Sequence, residues 1–290
     1  MPKIVIVLTR TLGDVILGNI LIDEVKSLYP DSRITYICEE KYAEVVIYNP
    51  NVGEVLCPPD WDEILEIIST QEWDKIYVPQ QTTREDNIWH HVPKYRNQHL
   101  VDFYAQRCGI KIKERKLRIY LNGNKDVEIP EPNTIALHNS TLVPSKNWDK
   151  FDELCIKLIE EGYKVTQVGL KSDKIIQGAE DLREKFNLNE LGWYLSKCDC
   201  FVGLDSGLSY LATAVNTPVV CILGATVPVT SSPFGGNVTH ILADTREECK
   251  EQRCHGNCRF NDPCIKNVSV EQVLNEVKKN VSWLHDMRKG

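Results

Sequence analysis

Residues 3–28 read KIVIVLTRTLGDVILGNILIDEVKSL, and the change of period inside them decides the fold class. Lys3–Thr9 is an unbroken apolar run of the kind a strand shows when both faces are buried in a parallel sheet. From Asp14 to Leu28 the apolar residues Val15, Leu17, Ile20, Leu21, Val25 and Leu28 fall at helical spacing, with Pro30 just beyond. The pattern then repeats. Strands are expected at Arg33–Cys38, Gly53–Cys57 and Lys75–Val78, and helices at Glu40–Tyr48, Asp60–Ser69 and Gln98–Cys108, with a long loop at Gln80–Pro93. Strands alternating with helices imply a parallel sheet with right-handed crossovers.

Asn122–Asn133 (NGNKDVEIPEPN) is polar, carries Gly and two prolines and shows no period, as a linker does. Beyond it the alternation restarts. Strands are expected at Thr134–His138, Lys164–Val168, Cys200–Gly203 and Pro218–Leu223, and helices at Lys150–Glu161, Leu188–Lys197 and Gly207–Val215. An amphipathic stretch at Val268–Met287 follows. The expected architecture is α/β, with two Rossmann-like doubly wound domains at 1–125 and 132–275 and a C-terminal helix at 276–290 returning to the first.

The chain has 290 residues, 42% hydrophobic and 26% charged, the composition of a globular protein with room for two cores. The net charge of −7 argues against coating nucleic acid through bulk charge. One stretch, Arg84–Arg118, is nevertheless rich in Lys and Arg and also holds Trp89, His90, His91, Tyr95 and His99. It reads either as a solvated face or as a surface for an anionic partner. The longest apolar runs, such as Val219–Leu223, fall far short of a membrane span, and Lys3–Thr9 reads as a strand rather than a signal peptide, so a cytoplasmic protein is expected. The 11 cysteines are an odd number in a large chain, which suits reduced core residues. Cys249, Cys254, Cys258 and Cys264 stand apart as a cluster in one loop. Four thiols there can close a tetrahedral zinc or iron site, stay reduced, or pair as a disulfide.

Ligands of doubly wound sheets bind beyond the carboxyl ends of the strands, where loops enter helices. Three such loops are unusual. In Thr9–Asp14, Gly13 suits a tight turn, and Asp14 reads either as a helix N-cap or as a general base for a hydroxyl. His138–Trp148 (HNSTLVPSKNW) gathers small hydroxyl residues and one lysine, donors that suit a phosphate, while His138 itself reads as a core histidine. In Gly203–Leu211 (GLDSGLSYL) a strand runs through Asp205, Ser206 and Gly207 straight into a helix, whose first amides suit a diphosphate. No Walker sequence, GxGxxG or GxSxG elbow is present, which weakens kinase, dehydrogenase and serine hydrolase readings.

Taken together, LTRTLGDVILGNILIDEVKSLYPDSRITYICEEKYAEVV with NPNV, then LHNST and PSKNW, then VGLDSGLSYLATAVNTPVVCILGAT resemble, in order, the motifs of the ADP-heptose:lipopolysaccharide heptosyltransferase family, glycosyltransferase family 9. The resemblance covers most of residues 3–225. It implies a GT-B architecture with a central cleft and inverting sugar transfer that requires no metal or other cofactor. By it, Asp14 matches the catalytic base. Ser140, Thr141 and Lys146, with Asp205, Ser206 and Gly207, match the donor diphosphate site, and Phe186 lies near an apolar contact to the base. Tyr210 stands where the family usually has His, so the donor contact there differs. Asp173 is expected near the ribose. Arg10, Thr11 and Gly13, with Trp89, His90 and Arg96, are the candidate acceptor contacts.

The partners implied are a nucleoside-diphosphate sugar and an anionic glycan, foremost the lipopolysaccharide core, with a protein or DNA acceptor as the alternative. Such an acceptor would bring the enzyme to a membrane surface without spanning it. A non-catalytic sugar-nucleotide-binding protein is the rival from another class.

Overall fold

The computed structural model describes residues 1–80, 98–123, 127–224, 228–244, 258 and 260–289. The chain divides into two units, Met1–Asn122 and Gly123–Gly290.

In the first unit, β1 (Lys3–Val7) leads into α1 (Leu12–Leu28), followed by β2 (Arg33–Ile37), β3 (Glu54–Leu56), α2 (Trp61–Thr70), β4 (Lys75–Tyr77) and α3 (Leu100–Arg107). The strands pair in parallel in the order β3-β2-β1-β4. Ile4, Val5, Ile6 and Val7 are wholly buried, as the continuous apolar run requires of a central parallel strand. α1 is buried without a break from Leu12 to Ile22.

One expected helix is corrected. Residues 40–48 form only a 3₁₀ turn at Glu40–Val45. The Val45 carbonyl accepts from Asn19 Nδ2 at 3.1 Å, while the Asn49 amide turns back to the Val46 carbonyl. Asn49 Nδ2 in turn donates to Asn19 Oδ1 at 2.8 Å. This buried pair ties the turn to α1 and stops it from propagating as an α-helix.

The second unit holds β5 (Thr134–Leu137), α4 (Phe151–Glu160), β6 (Lys164–Gln167), β7 (Glu180–Asp181), α5 (Leu188–Leu195), β8 (Cys200–Leu204), α6 (Gly207–Ala214), β9 (Val219–Leu223), α7 (Pro228–Ser231), β10 (Val238–Leu242) and α8 (Val270–Lys289). Its sheet order, β10-β9-β8-β5-β6-β7, is all parallel. Counted from β5 this is the dinucleotide-fold order 3-2-1-4-5-6. The edge strands β7 and β10 escape the apolar-run criterion, because β7 has two acidic residues and β10 is largely half-buried.

The C-terminal segment is also corrected. Residues 276–289 do not start a separate helix; they continue α8, whose Val273, Val277 and Val281 enter the second unit's core beside Ile135, Leu154 and Val220. The buried thiols of Cys155, Cys198, Cys200 and Cys221 are all pushed up by burial, that of Cys155 to about 11. They behave as small core residues rather than nucleophiles.

Gly18 lies inside α1, where glycine is ordinarily unfavourable. A Cβ there would meet Tyr36 Oη at 2.0 Å and Cζ at 3.0 Å. Tyr36 is fully buried, and its hydroxyl has no hydrogen-bond partner among the described residues. Gly18→Ala should therefore lower stability by about 1–3 kcal/mol through overpacking, read as a shift in the urea midpoint. Adding Tyr36→Phe should recover most of the loss; an unmoved midpoint in the single variant would show that the ring slides aside freely.

Candidate active site

In the second unit the chain leaves β5 toward β6 on one side and leaves β8 toward β9 on the other. At such a reversal the loops after the two strands diverge and leave a crevice at their carboxyl ends. The two donor-type loops, His138–Trp148 and Asp205–Gly207, stand at this reversal.

Several contacts shape the first loop. Trp148 is buried, donates from Nε1 to the Val268 carbonyl at 3.1 Å, and meets Phe151 edge-on at 5.2 Å. Asn147 Oδ1 accepts from the Thr141 amide at 2.8 Å and from Thr141 Oγ1 at 3.1 Å. Thr141 therefore shapes the loop. Lys146, in the turn Pro144–Lys146, reaches across to Asp205 Oδ2 at 2.6 Å. The loop's Asn139, Ser140, Asn147 and Trp148 also line a cavity of about 220 Å³, together with Asp152 and Lys174.

The second loop caps α6 in an unusual way. Ser206 is its N-cap, but its side chain makes no capping bond. The hydroxyl lies 3.2 Å from His138 Nδ1 instead. His138 Nε2 stands 3.6 Å from Asp173 Oδ2, and that oxygen accepts from the Leu170 amide at 2.7 Å. Gly169 leaves the room for this contact. At φ +136° it occupies glycine's region, and a Cβ there would fall 2.3 Å from Asp173 Oδ2 and 3.0 Å from His138 Cδ2.

Burial pushes the Asp173 carboxyl up, but hydrogen bonds from His138, the Leu170 amide and Ser140 outweigh it and hold the group below its ordinary value. The expectation that Asp173 faces a ribose is corrected: it is buried behind His138. Tyr210 is buried and donates to the Ser231 carbonyl at 2.8 Å. Phe186 is half-buried and stacks on Tyr194 at 5.0 Å.

In the first unit, Thr11 rather than Asp14 is the N-cap of α1, and Gly13 lies within the helix instead of making a turn. Asp14 sits at the third helical position, where its Oδ2 accepts from the Thr11 amide at 3.0 Å and from Thr11 Oγ1 at 2.7 Å. Its Oδ1 accepts from Tyr104 Oη at 2.6 Å. A carboxylate offers about four lone-pair sites, so three donors fix its direction and leave room for one more. Arg10 is exposed, and Gln80 holds the neighbouring Thr9 amide through Oε1 at 2.5 Å. From the basic stretch, Arg115 pairs with Asp102 at 3.4 Å and Arg118 with Asp23 at 3.2 Å. His99 is buried and caps α3. Trp89, His90 and Arg96 lie outside the described residues, as do Cys249 and Cys254. Of that cluster the structure describes Cys258, buried, and Cys264, half-buried, neither in a disulfide among the described residues. Among the described residues no group of three or more potential ligands could hold a metal.

Tyr104 and His138 are the site neighbours that sequence reasoning missed. Tyr104 lies on an ordinary helix face, with nothing local to mark a contact 90 positions away. His138 did carry a signal, its place at the carboxyl end of a strand flanking the reversal.

The two Rossmann-like units have the GT-B fold of glycosyltransferases. The chain belongs to glycosyltransferase family 9 (heptosyltransferase), whose family profile matches residues 75–259, and it is a glycosyltransferase. Lipopolysaccharide heptosyltransferase 1 of Campylobacter coli is 21% identical over 341 residues, covering 96% of this chain and 98% of that one. In fold the chain resembles the Escherichia coli ADP-heptose LPS heptosyltransferase II, with TM-score 0.72, 17% identity, and coverage of 98% of this chain and 100% of that one. It also resembles the iron-containing dodecameric glycosyltransferase TibC of enterotoxigenic E. coli H10407, with TM-score 0.75, 19% identity, and coverage of 98% and 80%. Among the described residues no helix is long and apolar enough to cross a membrane.

The Asp173 geometry has a pH consequence. A carboxyl whose folded pKa is lowered stabilises the fold above its unfolded value near about 3.9, and that stability is lost as pH falls through the folded value. Asp173→Asn should flatten the acid side of the stability curve below about pH 4. Urea titrations across that range would show it; superimposable acid limbs would remove the assignment.

Proposed function

We propose that the protein transfers a heptosyl group from ADP-heptose or a related nucleoside-diphosphate sugar to a hydroxyl of the lipopolysaccharide core, with inversion and without a metal. In this reading the second unit takes the donor and the first the acceptor. The observation that carries it is the α6 N-terminus, left without a side-chain cap at the strand reversal with Lys146 beside Asp205. Uncapped first-turn amides and a cation are what a diphosphate leaving group needs as its charge grows, the task that a divalent ion performs in other transferases. The names of the relatives, lipopolysaccharide heptosyltransferases among them, support the donor and the acceptor.

Asp14 is the proposed base. It takes the proton of the acceptor hydroxyl as that oxygen attacks the anomeric carbon, and the bond from that carbon to the diphosphate breaks with its electron pair leaving on the phosphate oxygen. A single displacement needs one base and inverts the centre. The three donors on Asp14 hold it in one orientation while leaving Oδ1 open to one more hydrogen bond. Arg10, Thr11 and Gly13, with Trp89, His90 and Arg96, are the proposed acceptor contacts. Ser140, Thr141, Lys146, Asp205, Ser206, Gly207, Tyr210 and Phe186 form the donor side, with Thr141 and Tyr210 acting through the loops they hold.

Cys249, Cys254, Cys258 and Cys264 are proposed to hold a structural zinc or iron. The thiols of Cys258 and Cys264, neither in a disulfide among the described residues, suit that donor set. The catalytic steps do not pass through it.

Asp14→Asn should abolish transfer, by roughly 10²–10⁴-fold for loss of a general base, while donor affinity by calorimetry stays unchanged; unaltered turnover would remove Asp14 from the chemistry. Lys146→Ala should weaken diphosphate binding, and equal affinity would contradict the donor site. The decisive assay offers ADP-, UDP-, GDP- and CDP-sugars against acidic oligosaccharide, protein and duplex DNA after dialysis with a chelator. Transfer to protein or DNA would replace the acceptor named here, and binding without any transfer would favour the non-catalytic reading.

A further inference from the structure

We infer that His138 is a positioning residue for donor binding: backed by Asp173, it sets the direction of the Ser206 hydroxyl and so couples diphosphate binding to uptake of one proton. The inference rests on the donor site proposed above and concerns residues to which that reading gives no such role.

The geometry that carries it is a chain of three side chains. Ser206 occupies the position where serine ordinarily caps a helix through its own oxygen, yet its hydroxyl is turned to His138 Nδ1 at 3.2 Å and makes no cap bond. The Asp173 carboxylate, 3.6 Å from Nε2, favours a proton on that nitrogen. Gly169 admits the arrangement, and His138 and Asp173 are both buried. With Nε2 protonated and Nδ1 bare, the imidazole is neutral and Ser206 gives its only proton to Nδ1. What it then shows to the uncapped end of α6 is lone pairs, which oppose an anion.

A second proton on Nδ1 reverses this bond. Nδ1–H then donates to Ser206 Oγ, the serine hydroxyl is released as a donor, and an imidazolium stands behind it. Both changes favour a diphosphate. The other charged or titratable groups on the surrounding elements are Asp173 after β6, Arg183, which donates to the Asp173 carbonyl and pairs with Asp181, Asp205 before α6, His240 on β10 within electrostatic reach of Asp205, and Lys146, whose ammonium is already held by Asp205 at 2.6 Å. The Lys146–Asp205 pair is locally balanced and the Asp173 carboxylate carries one negative charge, so a proton on His138 neutralises that charge and removes a net repulsion of the diphosphate.

The probe is ADP-heptose, whose pyrophosphate diester does not itself titrate between about pH 6 and 9. Calorimetry on the full chain should show affinity falling as pH rises, by up to about tenfold per pH unit, with heats in buffers of different ionisation enthalpy reporting proton uptake. Ser206→Ala should bind more weakly at low pH and lose the pH slope. His138→Asn should lose it too, and the double variant should be no weaker than either single one, because the two residues act as one unit. In turnover the effect should fall on the donor KM and spare kcat. Ser206 is half-exposed and makes no cap bond, so Ser206→Ala carries the test should His138→Asn fail to fold.

A flat wild-type pH profile, the same slope in Ser206→Ala, or additive losses in the double variant would each overturn the inference while leaving the donor site standing. A wild-type protein that binds no ADP-, UDP-, GDP- or CDP-sugar at all would overturn the donor site and this inference together.

Discussion

The pairing of β5 with β8, strands 65 residues apart at their last paired positions Leu137 and Val202 but side by side in the sheet, is the constraint on which the second unit depends. Parallel strands cannot be joined by a tight turn, so each must send its chain over the sheet and back. Where the direction of travel reverses, two loops diverge from neighbouring strand ends and the backbone beneath them has no covering segment. The polar contacts Lys146–Asp205 and Ser206–His138 both span that reversal. Their partners lie 59 and 68 positions apart, and only this register brings them together.

The first unit solves a related problem with a different residue. Its β3-β2-β1-β4 order places a reversal between β1 and β4, and Asp14 stands in the first turn of the helix after β1. An acidic residue there is favoured by the helix dipole and by the unpaired amides of the first turn. The Thr11 amide and hydroxyl use one of its oxygens and Tyr104 the other, so the same contacts that finish the helix also aim the carboxylate. Stability and orientation come from one set of hydrogen bonds, and the group is therefore organised before any substrate arrives.

Much of this was legible in the residues. The unbroken run at Ile4–Val7 announced a strand buried on both faces, and the Asp-Ser-Gly step at 205–207 announced an abrupt strand-to-helix turn. Other elements were not legible, for identifiable reasons. The 3₁₀ turn at Glu40–Val45 had helical spacing but lost the Val45 carbonyl to Asn19, a side chain from another element. Asp14 was ambiguous between cap and base because both readings need a carboxylate at a helix start; the structure assigns the cap to Thr11. The strands β7 and β10 lack an apolar run because sheet edges are only partly covered.

By itself, then, the sequence determined the alternation of strand and helix, the break near residue 122, and which loops carry phosphate-friendly side chains, since each of these depends on neighbours within a few positions. Only the tertiary structure decided that Thr141, Tyr210 and Asp173 hold other parts of the molecule, and that His138, Tyr104 and Ser206 form the contacts described. Hydrogen bonds between residues many tens of positions apart are set by strand order and register, and no local pattern of residue types encodes those.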